Sequence, residues 1–341
     1  MRIGNDMIGD GNPCYIIAEI GVNHDGSIEK AKKLINISFA YGADAVKFQM
    51  FDADELVIKS QEKIAYQKAD GVDETQYEML KRLELSEDSI QELYKHTMDY
   101  HMTFLCSAFD KKSVDFLDDL GVPAFKIPSG EINNFRLLGH IAKKERPIIL
   151  STGMSTLEEV LHALIPFNRC EKVLMHCVSN YPAKKDVNLK AISTMKNTFW
   201  LPVGFSDHTI GVEIPKLAVA HGANLIEKHI TLDRNGIGPD HKASCGLKDF
   251  RDMVMGIRRT ERILGDGIKR PTKEELEIRQ QIRRSAVASV DMPYGTRITN
   301  DMVEFKRPGT GIPPDMIDEV IGKKSKIAIK KDDLIQWEMI Y

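Results

Sequence analysis

The sequence predicts a closed (β/α)8 barrel over residues 1–268, a linker over 269–282 and a small β-rich domain over 283–341. Eight short apolar or β-branched runs are each followed by an amphipathic helical pattern. Strict alternation of strand and helix implies a parallel sheet, and eight such units imply that the sheet closes. A barrel takes about 250 residues, so 341 residues fit one barrel plus a small domain. An open doubly wound sheet is the alternative.

The elements of the barrel are apolar runs and the helices that follow them. The predicted strands are YIIAEIG (15–21), AVKFQM (45–50), TFLCSAF (103–109), AFKIPSGE (124–131), PIILSTG (147–153), KVLMHCVSNYP (172–182), VGFSDHT (203–209) and ANLIEKHIT (223–231). N-cap residues are expected at Ser27, Ser86, Asp110 and Ser155, and helix-ending glycines at Gly42, Gly121, Gly222 and Gly265. Residues 51–85 interrupt the alternation as one long loop, a length typical of functional or mobile segments.

The alternation stops near residue 270. The segment KRPTKEELEIRQQIRR (269–284) is charged and lacks an apolar stripe, which predicts an exposed helical or extended connection. Beyond it, the strand-like pieces SAVASV, KIAIK and LIQWEMI are separated by PYGT, RPGTG and IPP. This pattern indicates a small β-rich domain.

Composition excludes several classes of protein. The chain has 47 Lys and Arg against 50 Asp and Glu and no basic run, which argues against a nucleic-acid partner. Five widely spaced cysteines without a C-x-x-C pair indicate reduced thiols, and hence the cytoplasm. No signal-peptide pattern and no apolar stretch of about 18 residues is present, so we expect no membrane association.

Side chains alternate in direction along a strand, so residues of one parity share a face. On most of the predicted strands, polar residues stand at the end of one such face. They are Glu19, Lys47, Gln49, Lys126, Ser129, Glu131, Ser151, Ser179, Tyr181, Ser206, His208, Glu227 and His229. A buried unpaired polar group costs about 1–3 kcal/mol, so such residues at the ends of barrel strands indicate a polar ligand. The carboxyl ends of the strands are also where barrel enzymes keep their active sites.

Two histidines follow neighbouring strands, His208 in SDHT and His229 in EKHIT. At one rim they could hold a metal ion, although each could equally be a structural histidine. Lys47 and Lys126 could be ordinary rim residues paired with Glu19 or Glu131, and Ser129, Ser151 and Ser206 could be helix caps. Cys106 and Cys177 fit small core residues.

Seven segments carry a specific resemblance that runs nearly end to end. They are AEIGVNHDG (18–26), VKFQ (46–49), FKIPSGE (125–131), LSTGM (150–154), FSDHT (205–209), EKHITLDRNGIGPDHKAS (227–244) and FKRPGTGI (305–312). The chain resembles the bacterial N-acetylneuraminate (sialic acid) synthases, including the legionaminate and pseudaminate synthases and their spore-coat relatives. Its tail resembles their SAF domain, which is similar to type III antifreeze protein.

The resemblance implies a metal-dependent condensation of phosphoenolpyruvate with an open-chain N-acetylated mannosamine sugar. It implies that phosphoenolpyruvate binds Lys47, Lys126, Ser129, Ser151, Ser206 and either Ser179 or Asn180. Cations and hydroxyl donors suit its phosphate and carboxylate. His208 and His229 would hold Mn²⁺, with Mg²⁺ or Co²⁺ as alternatives. Glu19 and Glu131 are the candidates for guiding the attacking water, and Glu131 could instead pair with Lys126.

The same resemblance assigns Gln49, Tyr181 and Asp240 to the sugar hydroxyls. It also assigns Arg307 of the tail to the N-acetyl group in the barrel of a partner subunit, through a domain-swapped homodimer. The segments AYQKADG and TQYEMLKRLELS indicate the sialic and legionaminic branch. Within it, N-acetylmannosamine is narrowly preferred over 2,4-diacetamido-2,4,6-trideoxymannose.

Two other functions fit the residues. A Schiff-base aldolase would use Lys126 or Lys47 at a strand end. A non-catalytic binding protein is suggested by the antifreeze likeness of the tail.

Overall fold

A computed structural model describes residues 1–184 and 186–341 of the chain. Within these residues two compact units can be separated, Met1–Gly265 and Asp266–Tyr341. The first begins with a short hairpin of β1 (Arg2–Ile3) and β2 (Asp6–Met7). The boundary falls close to the predicted end of the barrel, and the predicted linker belongs to the second unit.

Eight parallel strands of the first unit form a closed barrel, which confirms the predicted fold class. They are β3 (Tyr15–Gly21), β4 (Ala45–Met50), β5 (Thr103–Ala108), β6 (Phe125–Ile127), β7 (Ile148–Ser151), β8 (Lys172–Cys177), β9 (Val203–Asp207) and β10 (Leu225–His229). The strands are paired in chain order, and β10 closes the barrel against β3.

The helices of this unit surround the strands. They are α1 (Ile28–Ala40), α2 (Ala53–Leu56), α3 (Gln76–Leu83), α4 (Glu87–Met98), α5 (Lys111–Leu120), α6 (Phe135–Ala142), α7 (Leu157–Leu164), α8 (Lys190–Phe199), α9 (Glu213–Ala220) and α10 (Leu247–Leu264). The side chains of Ser27, Ser86 and Asp110 cap α1, α4 and α5 as predicted. The prediction for Ser155 is wrong by one residue, because Thr156 and Glu159 form a reciprocal capping box at α7.

The two faces of the strands pack into different layers. Outward-facing residues such as Ile16, Val46 and Phe104 join the helices in the main core. Inward-facing residues fill the lower half of the barrel together with Ile3 and Ile8 from the hairpin region: Tyr15, Ile17, Ala45, Leu105, Ala124, Ile149, Val173, Met175 and Leu225. The predicted parity of these strands is therefore correct.

Residues 51–85 contain two helices, α2 and α3, and so differ from the predicted uninterrupted loop. Thr75 and Glu78 form a capping box that starts α3. Met79 and Leu83 on this helix pack with Val22 and Phe51 in a small separate cluster.

The second unit contains α11 (Lys273–Ile282) and an antiparallel pair, β11 (Ser285–Ala288) with β12 (Val303–Lys306). The helix has no buried residues, which confirms the exposed helical alternative for this segment. The predicted strands KIAIK and LIQWEMI form only isolated bridges, such as Met292 with Ile329. In KIAIK only Ile329 is buried, so this run does not form one face of a sheet.

None of the helices in the described ranges is long and apolar enough to cross a membrane. All five cysteines are free.

Candidate active site

A cavity of about 280 Å³ opens at the carboxyl ends of the barrel strands. Most of the predicted site residues line it: Glu19, Lys47, Gln49, Lys126, Ser129, Ser151, Ser179, Tyr181, Ser206, His208, His229 and Asp240. The structure therefore brings together the side chains that strand parity and the family resemblance selected.

Three predicted residues do not line this cavity. Glu131 is half-buried and accepts a hydrogen bond of 2.8 Å from Asn134 Nδ2. Asn180 is exposed, so Ser179 is the member of that pair that faces the cavity. Arg307 is an exposed residue of the second unit. The roles of Glu131 and Arg307 remain predictions from the resemblance.

A buried charge network lies on the cavity floor. Lys47 Nζ is 2.8 Å from Glu19 Oε2 and 3.8 Å from Glu227 Oε2, and Lys126 Nζ is 3.4 Å from Glu227 Oε1. The proposed pairing of Lys126 with Glu131 is therefore wrong. β10 places Glu227 inside the barrel, facing the lysine of β6, whereas Glu131 is the last residue of a one-turn helix (Ser129–Glu131) beyond that strand.

Glu227 is a candidate functional residue to which the sequence analysis assigned no role. Its Oε1 accepts a hydrogen bond of 2.9 Å from Ser206 Oγ, and its Oε2 accepts none among the described residues. The signal was present, because Glu227 shares a strand face with His229. What the sequence lacked was the identity of its partners on other strands.

The two buried carboxylates differ in charge state. Burial raises the pKa of Glu19 to about 7, although Lys47 opposes the shift. Burial also disfavours the charged form of Glu227, but Lys126 and Lys47 outweigh it and lower the pKa to about 2. Glu227 is thus a fixed anion, while Glu19 can exchange a proton near neutral pH, a division of roles typical of acid–base sites.

The two histidines lie side by side at the mouth, with ring centroids 5.8 Å apart. His208 Nδ1 is 2.7 Å from the carbonyl oxygen of Val178, which can only accept, so Nδ1 carries the proton. The lone pair on Nε2 then accepts a 2.8 Å hydrogen bond from the hydroxyl of Tyr181. Burial lowers the pKa of both histidines, so both favour the neutral form that ligates metals.

His229 and Asp240 form the other side of the mouth. His229 Nδ1 is buried without a hydrogen-bond partner among the described residues, and Asp240 Oδ2 lies 3.5 Å away. Burial raises the pKa of Asp240 to about 6, although His241 and Lys47 oppose the shift. An unpaired neutral ring nitrogen is a donor that a divalent cation would satisfy.

Hydroxyl groups converge around Gly153. Its backbone N–H donates a 2.9 Å hydrogen bond to Ser129 Oγ. A Cβ at this position would lie 2.2 Å from Ser179 Oγ and 2.9 Å from Cys177 Sγ, so only glycine leaves the space open. Cys177 lines the cavity, whereas Cys106 belongs to the core as expected.

Among the lining residues that were missed, Ser107 and Tyr66 contact predicted site residues. Ser107 on β5 accepts a 3.1 Å hydrogen bond from Lys47 Nζ, and its parity could have revealed it. Tyr66, from the segment before α3, stacks on Tyr181 with ring centroids 5.0 Å apart. No periodicity in the sequence pointed to Tyr66.

The barrel holds buried lysines and converging hydroxyls, and two neutral imidazoles and a carboxylate with a raised pKa lie at its mouth. Such a site is typical of an enzyme that binds anionic substrates. A family model described as "NeuB family" matches residues 34–269, and a SAF domain model matches residues 283–340. The chain belongs to the NeuB family. It is an enzyme of the family that includes the sialic, legionaminic and pseudaminic acid synthases.

Named relatives span nearly the whole chain. The N,N'-diacetyllegionaminic acid synthase of Legionella pneumophila is 45% identical over 341 residues, covering 97% of this chain and 96% of that protein. The human N-acetylneuraminate-9-phosphate synthase is 36% identical over 339 residues, covering 98% and 94%. The crystal structure of the N-acetylneuraminic acid synthetase from Leptospira borgpetersenii, in complex with citrate, has a TM-score of 0.73 at 34% identity, covering 83% and 96%.

Proposed function

We propose that the protein condenses phosphoenolpyruvate with the open-chain aldehyde of an N-acetylated mannosamine-type sugar. A carbon–carbon bond forms between the enol carbon and the aldehyde carbon, water adds at the former enol carbon, and phosphate leaves. The products are a nine-carbon 2-keto acid and phosphate. The buried cluster of Lys47, Lys126 and Glu227 directly beside two neutral histidines carries this proposal.

The lysines and hydroxyls form the proposed phosphoenolpyruvate end of the site. Lys47 and Lys126 are nearly inaccessible, so their charges act in a low-dielectric environment where they attract phosphate and carboxylate strongly. Ser129, Ser151, Ser179 and Ser206 supply donors around them. Glu227 holds the two ammonium groups in place on the cavity floor.

The histidine side forms the proposed sugar end. Gln49, Tyr181 and Asp240 line it and can bind hydroxyl groups. No three His, Cys, Asp or Glu side chains in residues 1–184 and 186–341 form a group that could hold a metal. A two-imidazole site that leaves positions for water and substrate suits Mn²⁺, with Mg²⁺ or Co²⁺ as alternatives, better than structural zinc. When bound at His208 and His229, such a cation would supply Lewis-acid assistance to the aldehyde oxygen.

Glu19 is the proposed acid–base residue for the addition of water. Its carboxylate lies on the cavity floor and accepts a hydrogen bond from Gln49 Nε2 at 2.9 Å, and burial raises its pKa to about 7, close to neutral pH. A group of this kind can take a proton from the attacking water and return it to solvent. Glu131 remains the alternative from the family resemblance.

For the acceptor, we propose 2,4-diacetamido-2,4,6-trideoxymannose ahead of N-acetylmannosamine, the sugar that the sequence narrowly preferred. Apolar side chains of Val22, Met79, Leu80, Leu83 and Phe109 line part of the cavity. A 6-methyl group and a second acetyl group would bury apolar area against them, which a 6-hydroxyl would not. The chain is 45% identical to the Legionella enzyme, whose name specifies N,N'-diacetyllegionaminic acid, and 36% identical to the human N-acetylneuraminate-9-phosphate synthase. This difference in identity agrees with the choice.

We also propose the domain-swapped homodimer in which Arg307 completes the site of the partner subunit. The exposed position of Arg307, directly after β12, is compatible with that role. Arg307→Ala should lose activity while the barrel stays folded. Full activity in this variant, or in a chain ending near residue 282, would contradict the swapped arrangement.

The five free cysteines support a reducing, cytoplasmic location.

The experiment that tests the function is phosphate release by the purified chain from phosphoenolpyruvate with each of the two sugars. We expect phosphate release to require a sugar. At equal low concentrations of sugar, it should be faster with the diacetamido sugar than with N-acetylmannosamine. EDTA should stop the release, and added Mn²⁺ should restore it. Activity that ignores EDTA, together with covalent trapping by borohydride in the presence of a keto substrate, would indicate the Schiff-base aldolase instead. No release with either sugar would contradict the proposal.

A further inference from the structure

The segment Asn23–Gly26, part of the motif AEIGVNHDG, lies beside the active site without lining its cavity. It follows β3, and its side chains contact the loop of residues 230–245 that follows β10. Asp240 belongs to that loop and does line the cavity. The contacts between the two segments therefore bear on where Asp240 lies.

The loop of residues 230–245 is closed at its base by the main chain. Thr231 N donates to the carbonyl oxygen of Cys245 at 3.0 Å, and Cys245 N donates to that of His229 at 2.7 Å. The loop thus leaves and returns beside a proposed metal ligand. Within the loop, the carbonyl oxygen of Asp240 accepts a main-chain hydrogen bond from Ala243 N at 3.2 Å, and side-chain contacts add to this one.

Asn23 joins the two ends of this loop. It is 2% exposed, and its Nδ2 donates to the carbonyl oxygen of Ile230 at 2.9 Å and to Ser244 Oγ at 2.8 Å. Ser244 Oγ in turn donates to the carbonyl oxygen of Asp240 at 2.6 Å. One buried amide is therefore only two hydrogen bonds away from the backbone of Asp240.

His241 fixes the loop a second time, one residue beyond Asp240. Its Nε2 is 2.8 Å from Asp25 Oδ1, and its Nδ1 is 2.7 Å from Thr231 Oγ1. Gly236 and Gly238 pack closely around the ring, since a Cβ at either would lie 3.0 Å from His241. The buried imidazole is therefore enclosed by the loop on one side and held by Asp25 on the other.

We propose that Asn23 and the Asp25–His241 pair are positioning residues for the acceptor sugar, because they hold Asp240 beside His229 without touching the substrates. This inference rests on the proposed function, in which Asp240 binds the sugar. A displacement of about 1 Å at a substrate-binding group can cost about 100-fold in rate, so contacts of this kind are sufficient to govern activity.

A double-mutant cycle tests the proposal on the full chain with phosphoenolpyruvate, Mn²⁺ and the better of the two sugars. We expect Asn23→Ala to raise the KM for the sugar about 10- to 100-fold while leaving the KM for phosphoenolpyruvate unchanged. In an Asp240→Ala background, Asn23→Ala should have little further effect, because the residue it positions is gone. Asp25→Ala provides a second route, since it releases His241 and leaves Asn23 in place.

Asn224→Ala is the matched control. Asn224 is also buried, and its amide also links segments, accepting from Val203 N and donating to Asp10, but it lies at the amino-terminal end of the barrel. We expect it to lower thermal stability without changing the KM for the sugar.

The outcomes distinguish the positioning role of Asn23 from the assignment of Asp240 to the sugar. Equal effects of Asn23→Ala in both backgrounds, or a rise in the KM for phosphoenolpyruvate as large as that for the sugar, would overturn the positioning role. An unchanged KM for the sugar in Asp240→Ala itself would instead overturn the assignment of Asp240 to the sugar. Should Asn23→Ala not fold, the same cycle with Asp25→Ala decides between these results.

Discussion

The inside of the barrel has two layers built from the same strands, one apolar and one charged. Ile17, Ala45, Ile149 and Leu225 lie in the lower layer. Two residues further along the same strands and on the same face lie Glu19, Lys47, Ser151 and Glu227. An advance of two residues along a strand therefore changes the side chains in the interior from apolar to polar or charged.

The difference between the layers indicates which of them serves chemistry. Glu19, Lys47, Lys126 and Glu227 are only 1%, 3%, 3% and 4% exposed, so all four have lost most of their hydration. Replacing buried ion pairs by apolar residues of similar volume is often neutral or stabilises by about 1–4 kcal/mol. The lower layer shows that these strands can present such residues, so the charges are explained by ligand binding rather than by stability.

The largest effect should come from Lys126→Met, which extends the apolar layer upward by one position. We expect kcat/KM to fall about 100- to 1,000-fold, because a fixed cation that stabilises developing charge is lost. Steady-state kinetics and circular dichroism measure activity and fold together. Lys172→Met is the matched control, since Lys172 Nζ binds the carbonyl oxygens of Phe167 and Cys170 at the other end of the barrel. Near-normal activity in Lys126→Met would show that the charged layer is not catalytic.

A second buried pair lies on the outer face of the same two strands that carry the histidines. Asp207 Oδ2 is 2.6 Å from Lys228 Nζ, and neither side chain lines the cavity. Asp207→Asn should lower the free energy of unfolding by about 3–5 kcal/mol, because it leaves a buried charge without its partner. Denaturant unfolding measures this loss.

Kinetics then compares the outer pair with the inner network. We expect kcat/KM per folded molecule to change much less in Asp207→Asn than in Lys126→Met. The double variant Asp207→Leu with Lys228→Met should recover most of the lost stability, since both charges are removed together. Failure to recover would mean that the outer pair does more than neutralise itself.

A smaller loss is expected in the apolar layer from Leu225→Ala. The buried side chain leaves a cavity, so the free energy of unfolding should fall by about 3 kcal/mol while kcat/KM is retained. Leu217→Ala, at a half-exposed position on α9, should change stability by no more than about 0.5 kcal/mol. A large loss of activity at normal stability in Leu225→Ala would show that the two layers are not independent.

The smallest effect in this series is Ile149→Val. Removal of one methylene from the apolar layer should lower the free energy of unfolding by about 0.5–1.5 kcal/mol. Thermal unfolding and kinetics should show a small stability loss and unchanged activity. An activity change larger than that of Leu225→Ala would indicate that Ile149 shapes the site through Ser151.

The sequence was most informative where a local rule applied. Strand parity selected Glu19, Lys47, Ser206 and His208 for one face, and the structure places all four on the cavity. Capping chemistry located the starts of α1, α4 and α5, and failed at α7 only because two adjacent hydroxyl residues competed for one position. These features depend on neighbours close along the chain.

The errors lie where partners are distant. Lys126 and Glu227 are 101 residues apart on strands that are not adjacent in the barrel, and Glu131 seemed the nearer partner for the lysine. Tyr66 reaches Tyr181 from a segment without a periodic pattern. In the second unit, apolar runs that resemble strands make single bridges instead, because the packing of that unit buries only some of their residues.

The amino-acid sequence by itself determined the alternation of strands and helices, the face on which each polar side chain lies, and the family to which the chain belongs. Only the tertiary structure decided which charges meet on the cavity floor and how the loop carrying Asp240 is fastened to the segment after β3. The physical reason is that periodicity reports the direction of a side chain on its own strand. Closure of the barrel brings the side chains of different strands together near one axis. The separation of two residues along the chain does not reveal whether their side chains meet there.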